Sequence, residues 1–337
     1  MPRFADFVEE LASEDEETAE SDKANRVPVS STCTPSVGSA PRARGQPLTQ
    51  EVIAFSTNVN RGNLSQEAFN QKLTHLQIQN KRIGDLEGLR LVPAVYVLYA
   101  YDNLISNLSG IQNLRRLQQL YLQNNRITSM AGLEGLSVLQ KLHLGHNRLA
   151  RIDSLESCTQ LEELTVSHQQ PPVEAPLQFC PASIAAIAPT LVVLNTAGNR
   201  LEDLQELTPL RLTTLDLSDN KIPQVGELRD LISGDVLRRV HLVGNPFAFH
   251  ERRYRTAVVL CSTAIEEIDG REVLPQERDF VRRLDEQKRK LNAQRKRHLN
   301  RAATDGRPRV LSMPDKGTGR QLKGTEGESL GLQDLKL

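Results

Sequence analysis

Apolar residues recur in a pattern that repeats every 22 residues, beginning at Leu73 and again at Val95, Leu117 and Leu139. Each repeat follows L-x-x-L-x-L-x-x-N-x-I/L-x-x-I/L-x-x-L, as in LQQLYLQNNRITSMAGLEGL at 117–136. The L-x-x-L-x-L half alternates apolar and variable residues, which is the pattern of a short strand. A fixed period of this length is typical of a leucine-rich-repeat solenoid.

We therefore predict an α/β fold, a leucine-rich-repeat solenoid with a curved parallel sheet of about eight 22-residue units, a C-terminal cap and a basic helix. The units begin near Leu73, Val95, Leu117, Leu139, Leu161, Leu191, Leu212 and Leu237. Neighbouring strands should lie about 4.8 Å apart, with leucines inside and variable residues on the concave face. The rest of each unit leaves room for extended or 3₁₀ turns, but not for long helices.

An asparagine follows six of the predicted strands. These residues are Asn103, Asn125, Asn147, Asn199, Asn220 and Asn245. An unpaired buried amide costs roughly 1–3 kcal/mol, so we expect a structural ladder in which these side chains bond neighbouring turns. Lys81 in the first unit and Gln169 in the fifth depart from it. The fifth unit also stretches over a proline-rich segment, Gln169–Pro189, where we predict an ordered loop with a short helix.

The chain ends differ from the repeats in composition. Residues 1–22 contain nine Asp or Glu against the single Arg3, and many Pro and Ser follow them. Near the first repeat, Ser65 should cap a short helix whose Phe69 covers the apolar end of the solenoid. The predicted domains are a disordered tail over 1–60 (acidic, then Ser/Pro-rich), repeats over 61–247, a C-terminal repeat cap over 248–274, a basic helix over 275–303 and a disordered tail over 304–337.

The basic helix allows two interpretations. Residues 275–309 hold twelve Lys or Arg against five acidic residues. Phe280, Leu284 and Leu291 fall on one face at helical spacing. The interpretation that we favour slightly is that this stripe packs on the cap; the other is contact with an acidic polymer, such as nucleic acid, an anionic membrane or the acidic tails of tubulin.

The sequence offers no pattern for catalysis. It contains no P-loop, dinucleotide fingerprint or nucleophile motif, so we expect a non-enzyme with no cofactor. His146 and His168 share one repeat position, but no third ligand accompanies them, and we expect no metal site. No apolar run reaches the 18 residues needed to cross a membrane. Four cysteines without paired spacing, and no signal peptide, suggest a reducing compartment.

The variable strand positions carry the candidate binding residues. Tyr99, Tyr101 and Tyr121 should project from two adjacent strands onto the concave face. Tyrosine is enriched at binding hot spots, which favours an interface over mere filling of the sheet surface. The expected partner-binding set on this face is Tyr99, Tyr101, Asp102, Tyr121, His143, Glu163, Asp216 and His241.

Several motifs together resemble a known family. VLYAYDNLI (97–105), LYLQNNRI (120–127), KLHLGHN (141–147) and LQFCPASIAAIA (177–188) look like the leucine-rich-repeat regulatory subunits of type-1 serine/threonine protein phosphatase. The likeness runs from about residue 73 to 289. It implies a non-enzymatic adaptor that binds the phosphatase catalytic subunit through its concave face, with Tyr99, Tyr101, Asp102 and Tyr121 at matching positions. It also implies a cytoplasmic protein of the cytoskeleton, at the centrosome or basal body, with tubulin or microtubule-associated proteins as further partners.

The chain departs from the short docking motif of many phosphatase regulators, a basic residue closely followed by V/I-x-F. The nearest string, Val52-Ile53-Ala54-Phe55, lacks the basic residue and follows Glu51. Binding would then have to use the horseshoe. Two alternatives remain: a ciliary or centriolar scaffold without a phosphatase partner, and a ribonucleoprotein subunit. We expect no membrane partner, and the missing RNA-binding aromatic motif argues against direct nucleic-acid binding.

Overall fold

The structure, a computed structural model, describes residues 45–56, 62–250 and 253–304, with the backbone alone over 298–304. The predicted tails at 1–44 and 305–337 lie outside these residues. In chain order the elements are β1 Gln46–Pro47, α1 Gln50–Phe55, α2 Gln66–Asn70, β2 His75–Gln77, β3 Ile83–Asp85, β4 Val97–Tyr99, β5 Gln119–Tyr121, β6 Lys141–His143, β7 Arg151–Ile152, β8 Glu163–Thr165, β9 Gln178–Phe179, α3 Pro181–Ile187, β10 Val193–Asn195, β11 Thr214–Asp216, α4 Arg229–Ile232, β12 Arg239–His241, α5 Pro246–His250, α6 Tyr254–Cys261, β13 Glu267–Ile268, β14 Arg271–Glu272 and α7 Pro275–Thr304. Short 3₁₀ helices lie at Glu87–Leu91, Ile111–Asn113, Gln205–Leu207 and Val225–Leu228.

One ten-stranded sheet runs through the repeats, in the order β2-β4-β5-β6-β8-β10-β11-β12-β13-β14. Neighbours are parallel except for β13 and β14. Each of the eight predicted units contributes one three-residue strand, which confirms the predicted repeats and the parallel sheet. The central residue of each strand points into the core, and in register Leu98 lies beside Leu120 and Leu142. These three leucines are fully buried.

The turn that follows each strand contains a residue in the left-handed backbone conformation. In the eight units this residue is Asn80, Asp102, Asn124, His146, His168, Gly198, Asp219 and Gly244, with φ between 53° and 80°. L-residues adopt this conformation at a cost, and Gly, Asn, Asp and His tolerate it best. The position directly before each ladder site is therefore occupied in all eight units by one of these four residue types, a preference that the repeat formula did not contain.

The asparagine ladder is present at all six predicted positions, with each residue at most 7% exposed. Asn147 is typical. Its Nδ2 donates to the carbonyls of Leu122 (2.9 Å) and Leu144 (2.9 Å), and its Oδ1 accepts from the amide of Ile127 (3.0 Å). Each amide therefore joins its own turn to the preceding one, and satisfies backbone groups that the short strands leave without partners.

Gln169, where the fifth unit departs from asparagine, is nevertheless a rung of the same ladder. Its Oε1 accepts from the amide of Leu149 (3.0 Å), and its Nε2 donates to the carbonyl of Leu144 (2.8 Å). Glutamine is longer by one methylene but presents the same amide group. Lys81 is different, because only its backbone amide takes part, donating to Oδ1 of Asn103 at 3.1 Å.

The proline-rich interruption forms an ordered loop and the short helix α3, as predicted. Ile184 and Ile187 of this helix are fully buried in the repeat core. Ser183 accepts from the amide of Leu155 at 3.3 Å and donates to Glu156 at 2.7 Å. The loop also adds β9 to β7 as a two-stranded sheet, which the sequence pattern did not predict.

The N-terminal cap begins earlier than expected. The prediction of a disordered tail over 1–60 is wrong for residues 45–56, where β1 pairs with β3 and α1 follows. Leu48 and Ile53 are 4% and 0% exposed. They cover the first repeat, whose apolar end would otherwise face water. The backbone passes so close that a Cβ on Gly88 would lie 1.8 Å from the carbonyl oxygen of Leu48.

The helix predicted next to this cap is also present. Ser65 is the N-cap of α2, and its hydroxyl accepts from the amide of Ala68 at 3.2 Å. Phe69 is 5% exposed and belongs to the core. Two short helices, rather than one, therefore close the N-terminal end of the repeats.

The C-terminal cap consists of α5, α6 and the β13–β14 hairpin. Phe247 is fully buried and packs edge-on against Tyr254, with ring centroids 5.6 Å apart. The Tyr254 hydroxyl donates to Asp269 at 2.8 Å, and Arg255 pairs with Glu277 of α7 at 2.8 Å. The predicted boundary at residue 248 falls inside α5, which starts at Pro246.

The basic helix is present as α7, but the expectation that its apolar stripe packs on the cap is wrong. Phe280, Leu284 and Leu291 are 39%, 36% and 57% exposed. The cap is contacted instead by Val281, which is buried, and by Arg278, which donates to the carbonyls of Ser262 and Ile265. No helix in the described ranges is long and apolar enough to span a membrane.

We expect Asn147→Ala to lower the free energy of unfolding by roughly 3 kcal/mol, because it leaves buried backbone donors and acceptors unpaired. Urea denaturation followed by circular dichroism measures this. Asn292→Ala, on the exposed surface of α7, is the matched control and should change stability by less than about 0.5 kcal/mol. Equal effects of the two substitutions would contradict a structural ladder.

We expect Ile53→Ala to destabilise the protein by about 2–5 kcal/mol, because it opens a cavity under the N-terminal cap. Phe55→Ala removes a larger side chain two residues away, but Phe55 is 86% exposed. Phe55→Ala should be close to neutral when both variants are compared by urea denaturation. If Ile53→Ala is also neutral, residues 45–56 do not cap the solenoid.

Candidate partner-binding surface

Three stacked rings lie on the concave face, the side of the ten-stranded sheet opposite the buried leucines. Tyr99, Tyr121 and His143 occupy the same position on β4, β5 and β6 and are paired in register. The Tyr99 and Tyr121 centroids are 4.9 Å apart with planes 9° apart, and those of Tyr121 and His143 are 4.8 Å and 22° apart. Because parallel strands lie about 4.8 Å apart, one ring per strand stacks without distortion. We call these three residues the aromatic column.

A charged group ends the column on β8. Glu163 accepts from Lys141 Nζ at 2.7 Å through Oε2 and lies 3.4 Å from His143 Nε2 through Oε1. Lys141 and His143 are alternate residues of β6, so both side chains project from the same face. The aromatic column therefore runs directly into an ion pair that presents one acidic and one basic group.

Burial and neighbouring charges shift three pKa values in this cluster. Burial lowers the pKa of His143, and Lys141 adds to this effect while Glu163 opposes it. Burial, and then the neighbouring Tyr99, raise the pKa of Tyr121, whose hydroxyl donates to Gln119 Oε1 at 3.1 Å. The hydrogen bond to Glu163 raises the pKa of Lys141. Burial therefore favours the neutral forms of His143 and Tyr121, and the charged pair Lys141–Glu163 lies at one end of the column.

Tyr101 and Asp102 lie beside the column, where β4 ends. Both are half-buried, and Asp102 Oδ1 accepts from Asn124 Nδ2 at 2.8 Å. Tyr101 shares its repeat position with Gln79 and Gln123 on the flanking units. The Oε1 atoms of these two glutamines are buried and have no hydrogen-bond partner among the described residues. This edge of the surface therefore retains two unused acceptors.

The structure does not bring Asp216 and His241 to the column. They lie in register with each other on β11 and β12, so Asp216 is two strands, or about 10 Å, beyond Glu163. Asp216 accepts from Asn195 Nδ2 at 3.1 Å and from the Ser218 hydroxyl at 2.6 Å. The predicted set thus divides into one contiguous cluster around Tyr121 and a separate polar pair.

Sequence reasoning missed one feature of this face, the place of Lys141 in the cluster. Lys141 belongs to the cluster through its ion pair with Glu163. It lies two residues before His143 on β6, and this position on the same face could have indicated that it belongs to the cluster. His146 and His168 stack with centroids 4.8 Å apart, as their 22-residue spacing suggested, on left-handed backbone. Within the described ranges no three His, Cys, Asp or Glu side chains form a group that could hold a metal ion.

Comparison with known proteins identifies the repeat. A family model described as leucine-rich repeats (2 copies) matches residues 97–135. An internalin (InlF) from Listeria monocytogenes is 17% identical over 67% of this chain and 65% of that one, with a TM-score of 0.50. Internalin C2 from the same organism is 24% identical over 59% of this chain and 87% of that one, with a TM-score of 0.48. The family match and the InlF structure both agree with the leucine-rich-repeat solenoid.

We expect Glu163→Gln to lower the pKa of His143 further, because the substitution removes the one charge that raises it. The folded state favours neutral His143, so its contribution to stability is present above the pKa of an unfolded histidine. It is lost as the pH falls through the lowered folded value. NMR titration of the His143 ring measures the shift. Glu162→Gln, the same change at the next residue, is the control and should leave the His143 titration unchanged.

Proposed function

We propose that this leucine-rich-repeat protein is a non-enzymatic adaptor that binds the catalytic subunit of type-1 serine/threonine phosphatase through its concave face. Its place of action would be the cytoskeleton, at the centrosome or basal body. The observation that carries the binding surface is the aromatic column of Tyr99, Tyr121 and His143. Phosphatase as the partner is supported by the resemblance of the motifs at 97–105, 120–127, 141–147 and 177–188 to this class of regulators, which includes protein phosphatase 1 regulatory subunit 42.

The column has the properties of a binding hot spot. Tyrosine and other aromatic side chains supply large contact areas, and hot spots cluster where such side chains are rigid. Here the rings already stack on one another, so a partner would lose little side-chain entropy in ordering them. The pair Lys141–Glu163 at one end supplies rim charges of both signs, which favour orientation and partner choice more than affinity.

The structure also bears on the short docking motif. In the string Val52-Ile53-Ala54-Phe55, Ile53 is fully buried beneath the N-terminal cap, and Val52 packs against the core. Of the three large apolar side chains in the string, Phe55 alone is exposed, at 86%. The string cannot enter a partner's groove in extended form without opening the cap. This supports a phosphatase contact through the sheet rather than through a linear motif.

We expect the double variant Tyr99→Ala, Tyr121→Ala to weaken binding of purified type-1 phosphatase catalytic subunit by about thirtyfold, or roughly 2 kcal/mol. Isothermal titration calorimetry with the full chain measures this. Tyr96→Ala is the matched control, because Tyr96 precedes β4 and is not part of the column; its effect should be less than about threefold. Circular dichroism checks that each variant is folded.

The calorimetric titration and a pull-down with the tagged full chain together separate the alternatives. No binding of the phosphatase to the wild-type chain would overturn the proposed partner. Recovery of tubulin or axonemal proteins alone with the tagged full chain would then favour the ciliary scaffold, and recovery of splicing proteins the ribonucleoprotein subunit. Phosphatase binding that is unaffected by the double variant would keep the partner but remove the column as its site.

A further inference from the structure

A second candidate surface lies at the C-terminal cap, on different elements from the aromatic column. An open groove of about 630 Å³ runs between the end of α5, one face of α6 and the basic helix α7. Phe249 and His250 of α5, Arg253, Ala257 and Leu260 on the α6 side and Lys288 of α7 line it. Positions 253, 257 and 260 are spaced by four and three residues, so they form one stripe along α6. The opposite face of α6 buries Val258 and Val259 in the core.

The groove has an apolar floor that nothing in the described chain covers. Phe249 is 77% exposed and Leu260 is 39% exposed. On α7, Leu284 precedes Lys288 by four residues and Leu291 follows it by three, which places all three on the same side of the helix. The exposed stripe of α7 therefore continues the apolar surface of the groove by about 10 Å, at 1.5 Å per residue.

The rim of the groove is basic. Of its described lining residues none is acidic, and neither Arg253 nor Lys288 forms an ion pair within the described part of the chain. Residues 287–297 of α7 add to this charge, with six Lys or Arg and no Asp or Glu. A ligand that fits must place apolar groups on the floor and negative charge along the rim. A basic or neutral peptide would leave the rim unpaired.

We propose that this groove binds an acidic amphipathic helix of a partner protein, with apolar anchors at i, i+4 and i+7 facing Phe249, Leu260 and Leu284 and with Glu or Asp facing Arg253 and Lys288. Helix-in-groove recognition uses this spacing of anchors. The concave shape between α6 and α7 matches the rounded surface of a helix better than a flat bilayer. It also favours a helix over nucleic acid, because the two rings of the described lining, Phe249 and His250, both lie at the end of α5 and do not form a series on which successive bases could stack.

Fluorescence anisotropy with the full chain tests the proposal. The probe is a labelled synthetic peptide of about 16 residues, long enough to form a helix, with leucine at i, i+4 and i+7 and glutamate at most other positions. We expect saturable binding of this peptide. A peptide with lysine in place of each glutamate, and a scrambled peptide of the same composition, should bind at least about tenfold more weakly.

Two matched pairs of variants locate the site. Lys288→Glu should weaken peptide binding by about tenfold or more, whereas Lys290→Glu makes the same charge change on another side of α7 and should have less than about a threefold effect. Leu260→Ala should weaken binding by about fivefold, whereas Leu274→Ala, at a similar exposure of 41% but outside the groove, should have little effect.

Equal loss with Lys288→Glu and Lys290→Glu would show attraction to overall charge and would overturn the proposal. So would equal binding of the scrambled peptide, or no binding of the designed peptide. Sedimentation with phosphatidylserine vesicles, or retention of single-stranded RNA, that is reduced by Lys288→Glu while the peptide fails to bind would assign the groove to those ligands instead. None of these outcomes depends on phosphatase binding, so this proposal and the proposed function can fail separately.

Discussion

The buried amide of each ladder residue is the interaction on which the rest of the structure depends. Strands of three residues form few backbone hydrogen bonds, and the chain must turn sharply after each one. The Nδ2 of Asn147 and its equivalents joins two successive turns through their carbonyls, and Oδ1 captures an amide of the preceding turn. Because an unpaired buried polar group is costly, this side chain holds each turn in one conformation. The left-handed residue before it, such as His146, completes that turn.

A constant turn gives a constant spacing, and the spacing determines what the sheet can present. Residues 22 apart come to lie side by side at strand separation, so each variable position becomes a row across the sheet. Aromatic residues in one row must then stack face to face, as Tyr99 and Tyr121 do. The interpretation that these tyrosines only fill the surface would require no particular neighbours. In register the row continues through His143 to Thr165, and Glu163 of the adjacent row reaches the His143 ring, so the surface changes from aromatic to charged at this end.

The repeat formula predicted the sheet and the direction of its side chains because both follow from periodicity. It failed where a residue was judged by its identity with the consensus rather than by the hydrogen-bonding groups of its side chain. Gln169 departs from the asparagine consensus, yet its amide makes the same contacts. It failed again at residues 45–56, because a segment that contributes only Leu48 and Ile53 to a core has no period to detect. The apolar stripe on one face of α7 was predicted correctly, but its burial was not. Whether the stripe packs on the cap depends on the angle at which the helix leaves the cap. Local pattern does not contain that angle.

The two proposed surfaces differ in how they arise, and this explains why they can serve different ligands. The aromatic column exists only because repeats stack, so every residue in it is held by the ladder beneath. The groove at the C-terminal cap exists because the stack of repeats ends there and its last repeat must be covered. Covering the last repeat requires α5 and α6, and only one face of α6 is needed for that, which leaves Leu260 and Arg253 at the surface. A rigid sheet suits recognition of a folded partner, whereas a groove between helices suits a helical segment. A protein with both could hold a folded enzyme on its sheet while a second protein engages its cap.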